Sequence, residues 1–247
     1  MASTTLLPGQ DNPGQKPNRE QRRSIARAHK RHQRDVFHAR ITDGAHFMPP
    51  MDIPIMQAVE YVPKGFVPFS EAMKPSCRDF DMTVDFYEDD YEIERIWTNT
   101  DRYLEKLSKF AAVVAPDLSV CWDFPAAMQV WNTYRNQVLG SYFQRKGMLC
   151  IPNVRCDPGK PWMLDGIPRN STIAIGARSC VKKVEDRVRF TEAVRFAVDT
   201  LQPSCILWYG SAAYGVSSYP ESLHIPLHFY PARVRGRMGG AADGEIQ

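Results

Sequence analysis

Asp117, Asn153 and Arg155, with Ser119 beside them, are the residues whose types and spacing suit chemistry at one place. Asp117 and Ser119 follow the apolar run 111–116, and Asn153 and Arg155 follow the run 148–152. A carboxylate beside a carboxamide and a guanidinium is the set that binding an anionic or amide-bearing ligand requires. In such a set Asp117 would serve as general base. The same residue types also cap helices and satisfy loop backbones, so scaffolding is the competing role for each of them.

What must position these side chains is a set of strands that share one carboxyl-terminal edge. The run 110–116 reads as a strand, and a long helix follows it, opened near Asp123 and Pro125 and stopped by Gly147. Residues 148–154, 171–177 and 205–209 read as further strands. Between the last two, residues 186–201 form an amphipathic helix that ends before Pro203. An earlier strand over 81–87 and a helix over 98–109 complete the pattern. Strands alternating with helices of this length predict the α/β class: parallel β/α units with right-handed crossovers, as an open sheet or an incomplete barrel, between disordered termini. Parallel α/β proteins build sites at the carboxyl ends of their strands. That edge would add Arg178, Ser179 and Cys180, then Gly210 and Ser211, with Asp85, Glu88 or Asp89 from the earlier strand.

Other constellations are weaker. No histidine lies between Phe47 and Leu223, so a histidine-dependent triad in the β/α core would have to borrow His224 or His228. Those two are spaced as a helical metal pair, but Pro226 stands between them. In an extended segment they lie about 13 Å apart, too far for one metal. The six cysteines form no C-x-x-C pair, and reduced, mostly buried thiols are the expectation. Cys180 differs in having Arg178, Lys182 and Lys183 nearby, which would favour a thiolate. The loop 210–215 is glycine-flanked but matches no phosphate-binding motif. The sequence names no cofactor and no metal-ligand set. Along the long helix, Ala127, Trp131, Tyr134, Val138 and Tyr142 form a stripe expected to face the core, and Gly140 would admit a close neighbour. Gln129, Asn132, Arg135 and Asn136 form a second face, directed at solvent or at a polar partner.

Charge is unevenly spread. The chain of 247 residues carries +3 overall, yet residues 16–40 hold nine Lys or Arg against Glu20 and Asp35. Residues 41–247 are therefore mildly acidic. Arg19, Arg22, Arg23, Arg27, Lys30, Arg31 and Arg34 are the candidates for nucleic-acid contact, because a cationic segment gains affinity for phosphates through counterion release. A solvated tail that aids solubility is the plainer alternative. The expected organisation is a disordered basic arm over 1–40, one α/β domain over 41–231 and a flexible tail over 232–247. No apolar run approaches the roughly 18 residues that span a bilayer. The amino terminus lacks the pattern of an export signal, so a cytoplasmic protein without membrane association is expected.

The motifs around Ala115–Ser119, Asp123–Pro125, Trp131–Asn136 (W-N-T-Y-R-N), Leu139-Gly140, Tyr142–Gln144 and Ile151–Arg155 resemble an uncharacterised family of phages and bacterial genomes, often associated with mobile elements. The likeness runs over about 75–212, leaving the basic arm outside. It implies a shared α/β domain and a phage or prophage origin, and it carries no reaction and no catalytic residues. Three functional classes follow. The first is a phage-type accessory protein acting on or near nucleic acid. The second is a small-molecule enzyme using Asp117, Asn153 and Arg155. The third is a non-catalytic protein that binds a host factor through the carboxamide face of the long helix.

Overall fold

The computed structural model describes residue 35 and residues 38–178 and 180–232. The remainder of the basic arm (including Arg19, Arg22, Arg23, Arg27, Lys30, Arg31 and Arg34), Ser179 and most of the tail lie outside the described residues. The chain falls into two units that part after Asp43. In the first, Asp35 accepts hydrogen bonds from the backbone N–H groups of Ala39 and Arg40, which start a 3-10 turn over Ala39–Thr42.

The second unit is the α/β body. It opens with a short antiparallel pair, β1 (Phe47–Met48) and β2 (Ile53–Pro54). Seven parallel strands follow: β3 (Phe66–Pro68), β4 (Thr83–Asp85), β5 (Ala112–Val114), β6 (Cys150–Ile151), β7 (Thr172–Gly176), β8 (Cys205–Tyr209) and β9 (Leu227–Tyr230). Their spatial order is their order in the chain, β3-β4-β5-β6 in one sheet and β7-β8-β9 in a second. A parallel bridge from Asn153 to Ala174 links the two sheets. The helices are α1 (Phe69–Ala72), α2 (Asp90–Thr98), α3 (Thr100–Leu107), α4 (Ala126–Arg145), α5 (Val184–Leu201) and α6 (Ser218–Ser222).

Both faces are buried from β3 to β8, as parallel strands flanked by helices require, whereas the edge strand β9 is partly exposed. On one face Ile173, Ile175, Ile206 and Trp208 pack with Val194, Ala197, Val198 and Leu201 of α5. On the other, Ala112, Val114, Ile151, Ala174 and Leu207 converge with Phe66, Tyr87 and Tyr209 in a shared interior. The alternation along each strand is the period of two that sends neighbouring side chains to opposite faces. The rings of Phe66 on β3 and Tyr230 on β9 meet with centroids 4.4 Å apart, yet no ladder joins those two strands among the described residues. The sheets therefore curl and stay open.

The long helix shows how local sequence and packing combine. Pro125 is its N-cap, and Asp123 makes no capping bond, because the proline already sets the backbone for the first turn. Gly140 faces Met56 and Ala115, and a Cβ there would lie 2.8 Å from Met56 Sδ. The close approach expected of that glycine is thus made. The expected core stripe holds only in part: Val138 and Tyr142 are buried, whereas Ala127 is exposed and Trp131 is 44 % exposed. The strands β1, β3 and β9 and the helices α1, α2 and α6 were not expected from the pattern of residues. The helix expected over 98–109 is α3, and the unexpected α2 meets it at Asn99.

Candidate functional site

Four loops that leave the carboxyl ends of β4, β5, β6 and β7 surround a cleft of about 870 Å³, closed on one side by α5. At its floor, Asp117, Asn153 and Arg155 are brought together as their strand-end positions suggest. Arg155 grips the Asp117 carboxylate with two nitrogens, Nε to Oδ1 at 2.7 Å and Nη2 to Oδ2. Asn153 Nδ2 donates to the same Oδ1 at 2.7 Å. The bidentate fork is the geometry in which guanidinium and carboxylate bind most strongly. Both oxygens of Asp117 accept hydrogen bonds in it, so Asp117 holds Arg155 in place.

Tyr87, on the loop after β4, completes the chain of bonds and was not among the expected residues. Its hydroxyl donates to Asn153 Oδ1 at 2.9 Å. Burial, followed by the nearby Asp117 carboxylate, pushes the phenol well above its usual range, so Tyr87 keeps its proton. A fixed donor on Oδ1 leaves Nδ2 of Asn153 to face Asp117, and the amide cannot flip without breaking both bonds. The Tyr87 ring stacks on Tyr209 with centroids 4.4 Å apart. That stack places the hydroxyl, and in the sequence Tyr87 was only the last residue of the strand expected over 81–87.

Arg155 reaches further. Its Nη1 donates to the carbonyl of Gly176 at 2.9 Å and to Cys180 Sγ at 3.7 Å. The guanidinium charge is reinforced chiefly by Asp117, which outweighs the opposing effect of burial. Its side chain remains 26 % exposed toward the cleft. Arg178, from the loop after β7, donates to the carbonyl of Tyr87 at 2.6 Å and pairs with Asp89 at 3.6 Å. Ser119 takes part differently, giving both its N–H and its hydroxyl to Asp90 at 3.0 Å. Asp85 is buried behind the site and accepts the N–H of Tyr87. Gly210 and Ser211 do not line the cleft; Gly210 N–H donates to Tyr230 and Ser211 O accepts from Trp208.

The carboxamide face of α4 lies inward, which corrects the expectation that it meets solvent or a partner. Asn132 is 7 % exposed and donates to the carbonyl of Ser119 at 2.6 Å. Asn136 accepts the N–H of Leu118 at 2.9 Å and donates to the carbonyl of the same residue at 3.0 Å. Gln129 donates to the carbonyl of Phe124 at 2.7 Å. The loop 118–124 has no sheet partner for these backbone groups, so the helix supplies them, and buried peptide groups demand such partners. Arg135 bonds to Asn132 and Glu94. The surface on which a host-factor reading rested is therefore spent on holding the cleft wall.

The rest of the wall is mixed. Val154, Met163, Ile175, Phe190 and Val194 make an apolar back, and Trp122 stands at the mouth, 58 % exposed. The Arg189 guanidinium lies 3.9 Å from the Trp122 ring centroid. Neither residue was singled out in the sequence. Cys156 also lines the cleft, but burial pushes its thiol up to about 12 and it donates to the carbonyl of Ala193. Among the described residues no group of three or more His, Cys, Asp or Glu is placed to hold a metal ion. No helix among them is long and apolar enough to cross a membrane.

Comparison with known proteins gives a consistent result. The family model described as Domain of unknown function (DUF4417) matches residues 45–223, which contain the whole cleft. The chain is 30 % identical over 201 residues to the Gene 1 protein of Mycobacterium phage L5, covering 78 % of this chain and 84 % of that protein. It is 28 % identical over 185 residues to the Gene 1 protein of Mycobacterium phage D29, covering 72 % and 67 % respectively. No solved structure matches.

Proposed function

The chain belongs to the family described as Domain of unknown function (DUF4417), and we propose that it is a phage-type accessory protein acting on or near nucleic acid in the host cytoplasm. The supporting observation is the segregation of charge. Nine Lys or Arg crowd residues 16–40, while the cleft is lined by eight carboxylates against three guanidiniums. Phosphate attraction then falls to the arm, through Arg19, Arg22, Arg23, Arg27, Lys30, Arg31 and Arg34. The cleft works at short range on a part of the ligand that carries no negative charge. At its floor Asp117 and Asn153 are positioning residues that hold the Arg155 guanidinium in one orientation.

Fluorescence anisotropy of the full chain with short single-stranded DNA and RNA tests this. Binding is expected at low salt and should fall steeply toward physiological salt. A variant with Arg22, Arg23, Arg27, Lys30 and Arg31 changed to Gln should bind more weakly and with a shallower salt dependence. Absence of binding by the full chain at low salt would defeat the reading.

A second reading is an enzyme or binder of a small polar molecule, favoured by the fixed bond chain Tyr87–Asn153–Asp117–Arg155 at the cleft floor. It predicts thermal stabilisation by a small ligand that the Asp117→Asn variant loses while remaining folded.

A further inference from the structure

We infer that the cleft receives a single unpaired nucleobase with an amino group at C6 or C4, adenine or cytosine, stacked on Trp122. The inference rests on the nucleic-acid reading above and names what enters the site. It comes from an inventory of what the cleft still offers a ligand. The three guanidiniums are already engaged: Arg155 by Asp117 and Gly176, Arg178 by Tyr87 and Asp89, and Arg189 over the Trp122 ring. The carboxylates of Asp123, Asp186 and Glu192, which also line the cleft, accept no hydrogen bond and make no ion pair among the described residues. The open capacity is thus for N–H donors, and a phosphate would meet uncompensated negative charge.

Shape adds a second requirement. Trp122 is the most exposed tryptophan of the described residues, and it stands at the mouth of a cavity whose back is apolar. The cleft volume, about 870 Å³, lies in the range of sites that enclose small organic ligands. A planar ring stacks on an exposed indole with little regard to its identity, and the carboxylates then select. Asp and Glu accept from the amino group of cytosine, and the adenine amino group is the same kind of donor. Uracil and thymine offer carbonyl oxygens at the corresponding position, which would face carboxylates. A base displaced from a strand meets both conditions, provided its phosphates stay outside the acidic rim.

The test titrates the full chain with adenosine, cytidine, uridine and adenosine 5′-monophosphate, reading tryptophan quenching and, independently, calorimetry. Adenosine and cytidine should bind more tightly than uridine. The monophosphate should bind more weakly than its nucleoside, the reverse of a site built for phosphate. Trp122→Ala, a change at an exposed position, should weaken nucleoside binding about tenfold. If nucleosides fail to bind, if the monophosphate binds more tightly, or if Trp122→Ala has no effect, the inference is overturned. Salt-sensitive strand binding that persists alongside any of those results leaves the nucleic-acid reading standing, so the two fail separately.

Discussion

Gly176 is the residue that lets Tyr87 into the site. A Cβ at position 176 would lie 2.6 Å from Tyr87 Cε1 and 3.0 Å from Arg155 Nη2, so two members of the bond chain occupy the space that any side chain would need. Gly176→Ala should therefore displace Tyr87, Arg155 or both. Overpacking of this kind costs about 1–3 kcal/mol, to be read from urea denaturation. A variant of unchanged stability would mean that the strand end moves freely.

The fork between Arg155 and Asp117 makes a sharper prediction. Lysine at 155 keeps the charge but replaces a planar fork with a single point, and it gives up the bond to the Gly176 carbonyl. Arg155→Lys should lose about 1–3 kcal/mol of stability, and Arg155→Met more, because the latter strands a buried carboxylate. In a double-mutant cycle with Asp117→Asn the two effects should be strongly non-additive. Additive effects would show that the pair is not energetically coupled.

The clamps of α4 on the 118–124 loop can be removed singly. Asn136→Ala leaves both the N–H and the carbonyl of Leu118 without their partner, and should destabilise the protein by about 1–3 kcal/mol. Amide hydrogen exchange at Leu118 should speed up with it. Asn136→Asp keeps the acceptor but turns a donor into a charge facing the Leu118 carbonyl, so it should be no better than alanine. Preserved protection at Leu118 in either variant would exclude the clamp.

Asp165 supplies a pH dependence. Burial raises its carboxyl above the usual carboxylate range, and its Oδ2 is buried without a hydrogen-bond partner. A carboxyl whose folded value exceeds its unfolded value binds its proton more tightly in the native state. Its contribution to stability is therefore greatest below the unfolded value, and is lost as pH rises through the raised folded value. Asp165→Asn cannot ionise. The stability difference between variant and wild type should move in favour of the variant as pH rises over that window, measured by denaturation at a series of pH values. A pH-independent difference would contradict the assignment.

Much of the scaffold was legible because its signals are local. Residues 205–209 are five apolar residues between Ser204 and Gly210, and they form β8 with those bounds. Residues 186–201 carry a helical period, and α5, which begins at Val184, buries Val194, Ala197 and Leu201 from it. The strands β3 and β9 were not legible, since each is only three or four residues long with proline in or beside it. The same holds for Tyr87: nothing near it in sequence announces Asn153, which lies 66 residues away.

By itself, then, the sequence determined the β/α alternation, and with it the collection of Asp117, Asn153 and Arg155 at one edge of the sheet. Side-chain period and strand direction are properties of the local chain, and these suffice to set that edge. Only the tertiary structure decided what those residues do for one another, and which face of α4 is inside. Periodicity separates the Trp131 side of that helix from the Asn132 side, but it does not say which side meets protein. The unpaired backbone of the 118–124 loop decided that, because a buried peptide group without a partner costs more than burying a carboxamide that satisfies it.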